Sequence, residues 1–179
     1  MKILNYPNNY ETERLLIRPL NLDDIIIWRT FLADERSTKH FPSYMKNRDA
    51  AHALTWIEKQ ICRYRDKKGG LMALIEKESG RFVGQSGLLV QQINGKEELE
   101  VGYHLLPEFW GKGLATEAAQ FFKTLAFQIS DVPSIVSNIE ISNFPSQAVA
   151  KRNGLENSGQ FKWLDLDVFI FRISRESAK

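Results

Sequence analysis

The most constraining feature of the sequence is a segment whose structural pattern changes in the middle. Residues 97–106 read as a β-strand that Pro107 ends, and residues 113–129 read as a helix with one apolar stripe. That stripe comprises Leu114, Ala118, Phe121, Leu125 and Ile129. The turn between them contains Gly111 and Gly113, which let the backbone approach a ligand, and a helix start offers unpaired N–H groups. The segment therefore predicts a strand–turn–helix unit whose turn can bind a phosphate.

The elements around this unit predict a mixed fold. Asn94-Gly95 is a strong hairpin signal, because both positions tolerate positive φ, so residues 70–106 read as an antiparallel meander. Period and turn residues predict strand 14–18, helix 22–33 capped by Asn21, helix 49–65, strand 134–141, a short helix ended by Gly154, and strands 156–162 and 165–173. The fold class is therefore α+β (mixed α/β).

Length, charge and cysteine content narrow the class of protein. With 179 residues, 43% of them hydrophobic, the chain fits a single domain over residues 1–179. Lys plus Arg total 24 and Asp plus Glu total 22, which predicts no nucleic-acid partner. We find no signal-peptide pattern and no apolar stretch long enough to span a membrane. Cys62 is the only cysteine and the histidines lack metal-ligand spacing, so we expect a cytoplasmic protein without a metal.

Three classes of phosphate site use glycines in such a turn. A P-loop needs Ser or Thr after its lysine, and here Gly113 follows Lys112. A dinucleotide fingerprint fits weakly, because Thr116 stands where a third small residue belongs and Asp131 precedes the next strand instead of following it. A coenzyme A pyrophosphate loop fits the spacing. A plain tight turn is the alternative that the turn alone leaves open.

At this turn the chain resembles the GNAT acetyltransferases. The segment Gly111–Ala115 is similar to the end of the family's Gln/Arg-x-x-Gly-x-Gly/Ala motif, and Trp110 stands at the Gln/Arg position, as is common in the RimJ/RimL-like branch. Further segments resemble that branch in the same order: Glu11–Leu20, Asn143-Phe144-Pro145-Ser146 followed by Gly154, and Trp163–Asp167. The resemblance covers nearly the whole chain.

This resemblance implies a splayed, largely antiparallel sheet flanked by helices. Coenzyme A is expected in a V-shaped gap between the strand before the turn and strand 134–141. The implied coenzyme contacts are the backbone of Val101, Tyr103 and Leu105, the turn residues Trp110, Gly111, Lys112, Gly113, Leu114, Ala115 and Thr116, and Asn143, for which a helix cap is the alternative role.

Acetyl transfer to an amine benefits from a general base, since an alkyl ammonium has a pKa near that of lysine, about 10.4. Glu100 is the first candidate, because strand alternation places it on one face with Gly102 and His104. Glu140 on the neighbouring strand is the second. We expect His104 to be a surface strand residue.

The leaving thiolate needs a proton. Many GNAT enzymes place a tyrosine seven residues after the asparagine, but Ala150 occupies that position here. The resemblance implies Ser146 as the donor, although serine also favours helix starts for capping alone. The resemblance places the acceptor beside the first two helices, the segment between them and the closing hairpin. The aromatic residues to examine there are Trp28, Phe41, Tyr44 and Trp163.

The sequence thus predicts an N-acetyltransferase that uses acetyl-CoA as acyl donor. Its acceptor is a primary amine, either a protein N-terminal α-amine or a small molecule. A non-catalytic acyl-CoA-binding module and a nucleotide-binding domain are the alternatives. The sequence leaves both a monomer and a homodimer open.

Overall fold

The computed structural model describes residues 9–46 and 50–178, and in this part of the chain eight strands form one continuous sheet. The strands are β1 (Tyr10–Glu11), β2 (Leu15–Arg18), β3 (Gly69–Glu76), β4 (Phe82–Ile93), β5 (Lys96–Leu105), β6 (Ser134–Glu140), β7 (Glu156–Trp163) and β8 (Leu166–Ser174). Their order is β1-β2-β3-β4-β5-β6-β8-β7, and only β5 and β6 pair in parallel. The predicted α+β class with a largely antiparallel sheet is confirmed.

Five α-helices accompany these strands in the described residues: α1 (Ile25–Ala33), α2 (Glu35–Thr38), α3 (Ala50–Arg65), α4 (Leu114–Ile129) and α5 (Phe144–Arg152). Asn21 caps the first helical segment as predicted, accepting from the Asp23 N–H, but that segment begins as a 3-10 turn over Leu22–Asp24. The predicted start of the next long helix at Asp49 lies outside the described residues. Short α2 was not predicted, and the Asp34 side chain caps it.

The meander of β3, β4 and β5 has the predicted hairpin turn. Asn94 and Gly95 have φ values of 49° and 74°. This left-handed conformation matches the twist of the flanking strands. The hairpin sets the long register between β4 and β5, which runs from Ile93↔Lys96 to Gly84↔Leu105.

A gap opens between β5 and β6. The two strands are bridged at one pair, Glu100 and Val136, and β6 then continues along β8. Because α4 connects β5 to β6, the glycine-rich turn stands at the carboxyl end of β5, where the gap is open. We call the Glu100–Val136 end of this gap its closed end.

Helices pack on both faces of the sheet. His104 on β5 contacts α1 and α3, whereas the adjacent Tyr103 contacts α5, which packs beside α4. The buried face of α4 consists of Leu114, Ala118, Ala119, Phe122, Leu125 and Ala126. Within the predicted stripe, Leu114, Ala118 and Leu125 are buried, and Phe121 and Ile129 are partly buried against the core. Phe122, which was not included in the stripe, is fully buried.

Candidate active site

The glycine-rich turn has the geometry of an anion site. Gly111 and Gly113 have φ values of 75° and 80°, in the left-handed region that favours glycine. The first α4 backbone bond runs from the Glu117 N–H to the Gly113 carbonyl, at 3.1 Å. Among the described residues, no backbone carbonyl accepts from the N–H groups of residues 111–116. These donors, at the positive end of a sixteen-residue helix, can bind a phosphate.

A salt bridge from the start of the chain holds this turn. Glu117 Oε2 pairs with Arg14 Nε at 2.6 Å, and Glu117 Oε1 accepts from Thr12 Oγ1 at 2.5 Å and the Arg14 N–H at 2.8 Å. Arg14 Nη1 also donates to the Lys112 carbonyl at 2.8 Å. The Lys112 carbonyl of the turn is therefore hydrogen bonded within the protein, whereas the N–H groups of the turn remain available to a ligand. We call this set of contacts the Arg14–Glu117 brace.

Three further contacts position side chains predicted to meet the coenzyme. Trp110 Nε1 donates to the Leu105 carbonyl at 2.7 Å, so the indole ties the turn to the end of β5. Thr116 Oγ1 accepts from Arg152 Nε at 3.1 Å, which brings a cation beside the start of α4. Lys112 lies over the Phe109 ring, with its Nζ 4.9 Å from the centroid.

The edge of β5 that faces β6 carries the three predicted backbone positions. The Val101 carbonyl accepts from Ser137 Oγ on β6 at 3.0 Å, and the Leu105 carbonyl accepts from Trp110. Since backbone groups alternate along a strand, the Tyr103 N–H and carbonyl face the same side. Val101 adjoins the closed end of the gap, so Tyr103 is the predicted backbone contact best placed along its open part.

Ser146 and Tyr103 meet beside the gap. The Tyr103 hydroxyl donates to the Ser146 carbonyl at 2.9 Å, and Ser146 Oγ lies 3.2 Å from the same hydroxyl. Asn143 Oδ1 accepts from the Ser146 N–H at 3.2 Å, so Asn143 caps α5. Burial raises the pKa of Tyr103 to about 12, which keeps the phenol protonated at neutral pH. The sequence analysis looked for a tyrosine within α5 and found Ala150 at that position. It missed the Tyr103 phenol, which reaches α5 from β5.

The two predicted carboxylates lie at opposite ends of the gap. Glu100 is 9% exposed at the closed end, and its Oε1 accepts from the Asn138 N–H at 3.2 Å. Burial raises the pKa of Glu100 and outweighs the hydrogen bonds with Asn138 and Gln91, which lower it. Glu140 ends β6, with its Oε2 2.7 Å from His40 Nδ1 and 2.6 Å from Ser142 Oγ. Burial alone would raise the pKa of Glu140, but hydrogen bonds from Ser142 and His40 lower it overall.

His104 is not the surface residue we expected. Its ring packs edge to face against Trp28, Phe31, Phe41 and Trp56, at centroid distances of 5.2 to 6.4 Å. Burial lowers the pKa of His104 to about 4, so the imidazole is neutral at pH 7. Leu71 and Leu89 lie over Gly102, each 3.4 Å from where a Cβ would stand. Glu100 and His104 therefore share a face, as predicted, but apolar side chains separate them.

The segment after α2 joins the aromatic cluster to the closing hairpin. Phe41 stacks on Trp56 with the ring centroids 5.8 Å apart, and the Ser43 N–H and Oγ donate to Asp165 at 3.0 and 2.5 Å. Trp28 is fully buried core, whereas Tyr44 is 60% exposed. Of the aromatic residues singled out from the sequence, Phe41, Tyr44 and the partly buried Trp163 remain accessible.

The comparison with known proteins decides the family. Residues 14–156 match the model of the family described as the acetyltransferase (GNAT) domain. The chain belongs to the GNAT acetyltransferase family. A Bacillus licheniformis relative named uncharacterized N-acetyltransferase p20 is 25% identical, over 90% of this chain and 93% of its own.

Solved structures share the fold of this GNAT protein. An acetyltransferase from Agrobacterium tumefaciens str. C58 is similar with a TM-score of 0.80 and 24% identity, covering 98% of this chain and 99% of its own. The Mycobacterium smegmatis RimJ structure has a TM-score of 0.74 at 18% identity, covering 90% of this chain and 82% of its own. The splayed mixed sheet expected from the RimJ/RimL resemblance is therefore confirmed.

Within residues 9–46 and 50–178, no group of three or more His, Cys, Asp or Glu side chains is placed to hold a metal ion. No helix in the described part of the chain is long and apolar enough to cross a membrane.

Proposed function

We propose that this GNAT protein transfers an acetyl group from acetyl-CoA to a primary amine. The observation that carries the proposal is the row of N–H groups at residues 111–116, which the Arg14–Glu117 brace holds at the open end of the β5–β6 gap. RimL, described as a ribosomal L7/L12 α-N-protein acetyltransferase, has the same fold and was solved with coenzyme A. The self-immunity acetyltransferase MccE was solved with acetyl-CoA and AMP.

Different residues around the gap would bind different parts of acetyl-CoA. The N–H groups of Gly111, Lys112, Gly113, Leu114, Ala115 and Thr116 would hold the pyrophosphate, with Trp110 beside them. Asn143 would contact the pantetheine arm through its amide. The β5 edge of Val101, Tyr103 and Leu105 would receive the thioester, and the Tyr103 N–H would stabilise negative charge on its carbonyl oxygen. When bound, acetyl-CoA supplies the acetyl group as a reactive thioester.

Ser146 and Tyr103 would supply the proton that the leaving sulfur needs. A thiol has a reference pKa of about 8.5, whereas burial raises the pKa of Tyr103 to about 12, so the phenol carries a proton at every pH where the enzyme would work. Ser146 Oγ, on the first turn of α5, donates to the Tyr103 hydroxyl, which in turn donates to the Ser146 carbonyl. The phenol thus holds the Ser146 hydroxyl in place, and that hydroxyl would rotate toward the sulfur to give up its proton.

Glu100 and Glu140 are the proposed carboxylates on the amine side. Burial raises the pKa of Glu100, which favours a general base, but its carboxylate is buried at the closed end and bound to the β6 backbone. Glu140 is ionised and stands where the gap opens. The acceptor amine, from a protein N-terminus or a small molecule, would enter on this face, between the aromatic cluster and the closing hairpin.

Thermal unfolding with acetyl-CoA, ATP and NAD tests the coenzyme site. A ligand at 100 times its dissociation constant adds about 2.7 kcal/mol, which raises the midpoint of a domain of this size by about 5–10 °C. We expect this shift with acetyl-CoA alone. An equal shift with ATP or NAD, or no shift at millimolar acetyl-CoA, would overturn the proposal.

Thiol release from acetyl-CoA with tri-alanine, spermidine and L-lysine as acceptors then tests turnover. We expect at least one amine to accelerate release above the rate without acceptor. Coenzyme binding without turnover on any amine would favour the non-catalytic acyl-CoA-binding module.

A further inference from the structure

A histidine and a carboxylate form a pair at the open end of the gap. His40 Nδ1 lies 2.7 Å from Glu140 Oε2, and the two side chains are 19% and 15% exposed. Ser142 Oγ donates to the same carboxylate oxygen at 2.6 Å. Nothing in the spacing of the sequence joins these residues, because 100 positions separate His40 from Glu140.

The pair stands next to the elements of the proposed reaction. Glu140 is the last residue of β6, which forms one wall of the gap. The Asn143 N–H donates to the Glu140 carbonyl at 2.9 Å, and α5 begins at the next residue, with Ser146 in its first turn. One tight turn therefore separates the pair from the residue proposed to serve the leaving sulfur.

The hydrogen bond to Glu140 determines which ring nitrogen of His40 can accept a proton. Glu140 is ionised at neutral pH and can only accept hydrogen bonds, so His40 Nδ1 must carry the hydrogen. In the neutral ring, Nε2 then presents its lone pair. A carboxylate that fixes a histidine in this tautomer also stabilises the imidazolium that forms when Nε2 takes a proton.

The backbone around His40 is held in place, as a proton acceptor requires. Phe41, the next residue, stacks on Trp56 and contacts the His104 ring at 5.2 Å between centroids. Two residues later, Ser43 makes two hydrogen bonds to Asp165 of the closing hairpin. His40 is therefore anchored between the aromatic cluster and β6, with part of its side chain still exposed.

The other titratable groups on this face are less suited to the role. Glu100 is buried at the closed end and already bound to the Asn138 N–H. The His104 ring contacts four aromatic rings, and burial lowers its pKa to about 4, too weak a base for an amine. Among these groups, His40 is the histidine that is hydrogen bonded to a carboxylate and keeps part of its side chain exposed.

We propose that His40 is the general base of the acetyl transfer and that Glu140 is its positioning residue, a role that rests on the proposed function. As the nitrogen–carbon bond forms and the carbon–sulfur bond breaks, the amine proton moves to His40 Nε2. The sulfur takes a proton from Ser146, and solvent returns both groups to their starting states. Glu140 on β6 is the charged group hydrogen bonded to His40. Lys39 and Lys46 belong to its own segment, and Asp165 of the hairpin is bound to Ser43 of that segment.

The test compares the pH dependence of kcat and KM, from pH 6 to 9, for the wild type and four variants: His40→Gln, Glu140→Gln, Glu100→Gln and the matched control Lys39→Gln. Acetyl-CoA is the donor, and the acceptor is the fastest of tri-alanine, spermidine and L-lysine. We expect His40→Gln to lower kcat at least about 100-fold and to abolish the decline in rate at low pH. Glu140→Gln should lower kcat about 10-fold, because the ring loses the carboxylate that fixes its tautomer. Lys39→Gln should match the wild type.

Three kinetic results would overturn the proposal. The first is a His40→Gln enzyme that keeps kcat within about 3-fold and keeps the wild-type pH profile. The second is loss of the low-pH decline in Glu100→Gln alone, which would make Glu100 the base. The third is an effect of His40→Gln confined to the KM of the amine, which would make His40 a binding residue.

Nitrogen-15 NMR of histidine-labelled protein at pH 7.5 supplies a readout that does not depend on the acceptor. We expect His40 with hydrogen on Nδ1 and none on Nε2, and loss of this preference in Glu140→Gln. Hydrogen on Nε2 in the wild type would overturn the proposal. Failure of the proposed function has a different signature, namely no thermal shift of the wild type by acetyl-CoA.

Discussion

Single hydrogen bonds position the residues that we propose as proton donors to the leaving sulfur. The Ser146 N–H donates to Asn143, which caps α5, and the Ser146 hydroxyl donates to the Tyr103 phenol. Serine at this position was ambiguous from sequence, because a helix start favours serine for capping. In the structure Asn143 is the cap, so the Ser146 hydroxyl is not used for capping and donates to Tyr103 instead.

Ser146→Ala should lower kcat about 100-fold, the lower end of what a positioned proton donor contributes. Tyr103→Phe should lower kcat about 10-fold, less than the loss of a positioned proton donor, since Ser146 keeps its proton but loses the phenol that holds its hydroxyl. The KM for acetyl-CoA should change little in either variant. Initial rates of thiol release measure both constants, and an unchanged kcat in a folded Ser146→Ala enzyme would rule out this role.

His104 should make the folded state sensitive to acid. Its folded pKa of about 4 lies below the ordinary value of 6.5, so the unfolded chain binds the proton first as the pH falls. The contribution of the neutral ring is complete above pH 6.5 and is lost between pH 6.5 and 4, at most about 3 kcal/mol. His104→Gln cannot titrate, so its free energy of unfolding should fall less than that of the wild type between pH 7 and 4. Urea unfolding at both values measures this, and parallel losses in the two proteins would contradict it.

At the scale of elements, regular periods were predictable and long-range contacts were not. The meander, its Asn94-Gly95 hairpin and α4 follow from turn chemistry and periodicity. The short α2 depends on the cap from Asp34, which periodicity does not reveal. The Arg14–Glu117 brace joins residues 103 positions apart, so local sequence could identify the glycine-rich turn but not what holds it.

The brace predicts a specific effect on coenzyme affinity. Glu117→Gln removes the charge that holds Arg14, and with it the support of the Lys112 carbonyl. We expect acetyl-CoA to bind about 10-fold more weakly, a loss of about 1.4 kcal/mol. Glu108→Gln is the matched control, because its salt bridge to Arg81 is largely exposed and such pairs contribute little. Calorimetric titration measures both, and equal affinities for the two variants would show that the brace is not needed.

At the scale of the molecule, the proposed acceptor side joins distant parts of the chain. The resemblance to GNAT enzymes indicated that the first two helices and the closing hairpin would meet there, but composition and periodicity carry no such information. In the structure, two hydrogen bonds tie the segment after α2 to other elements. His40 is bound to Glu140 of β6, and Ser43 is bound to Asp165 of the closing hairpin. The Ser43–Asp165 link is exposed and joins residues 122 positions apart, so it can be broken without disturbing the core.

Asp165→Asn should therefore affect the amine and not the coenzyme. Hydrogen bonds from Ser43 hold the pKa of Asp165 below its ordinary value, so the carboxylate is the form that anchors the segment. With the weaker amide acceptor, we expect the KM for the amine to rise about 3- to 10-fold, the range of one ordinary hydrogen bond, while acetyl-CoA affinity is unchanged. Asp167→Asn, two residues away in the same hairpin and paired loosely with Lys162 at 3.7 Å, is the matched control. A rise in KM with Asp167→Asn equal to that with Asp165→Asn would mean that hairpin charge, and not the link to Ser43, governs acceptor binding.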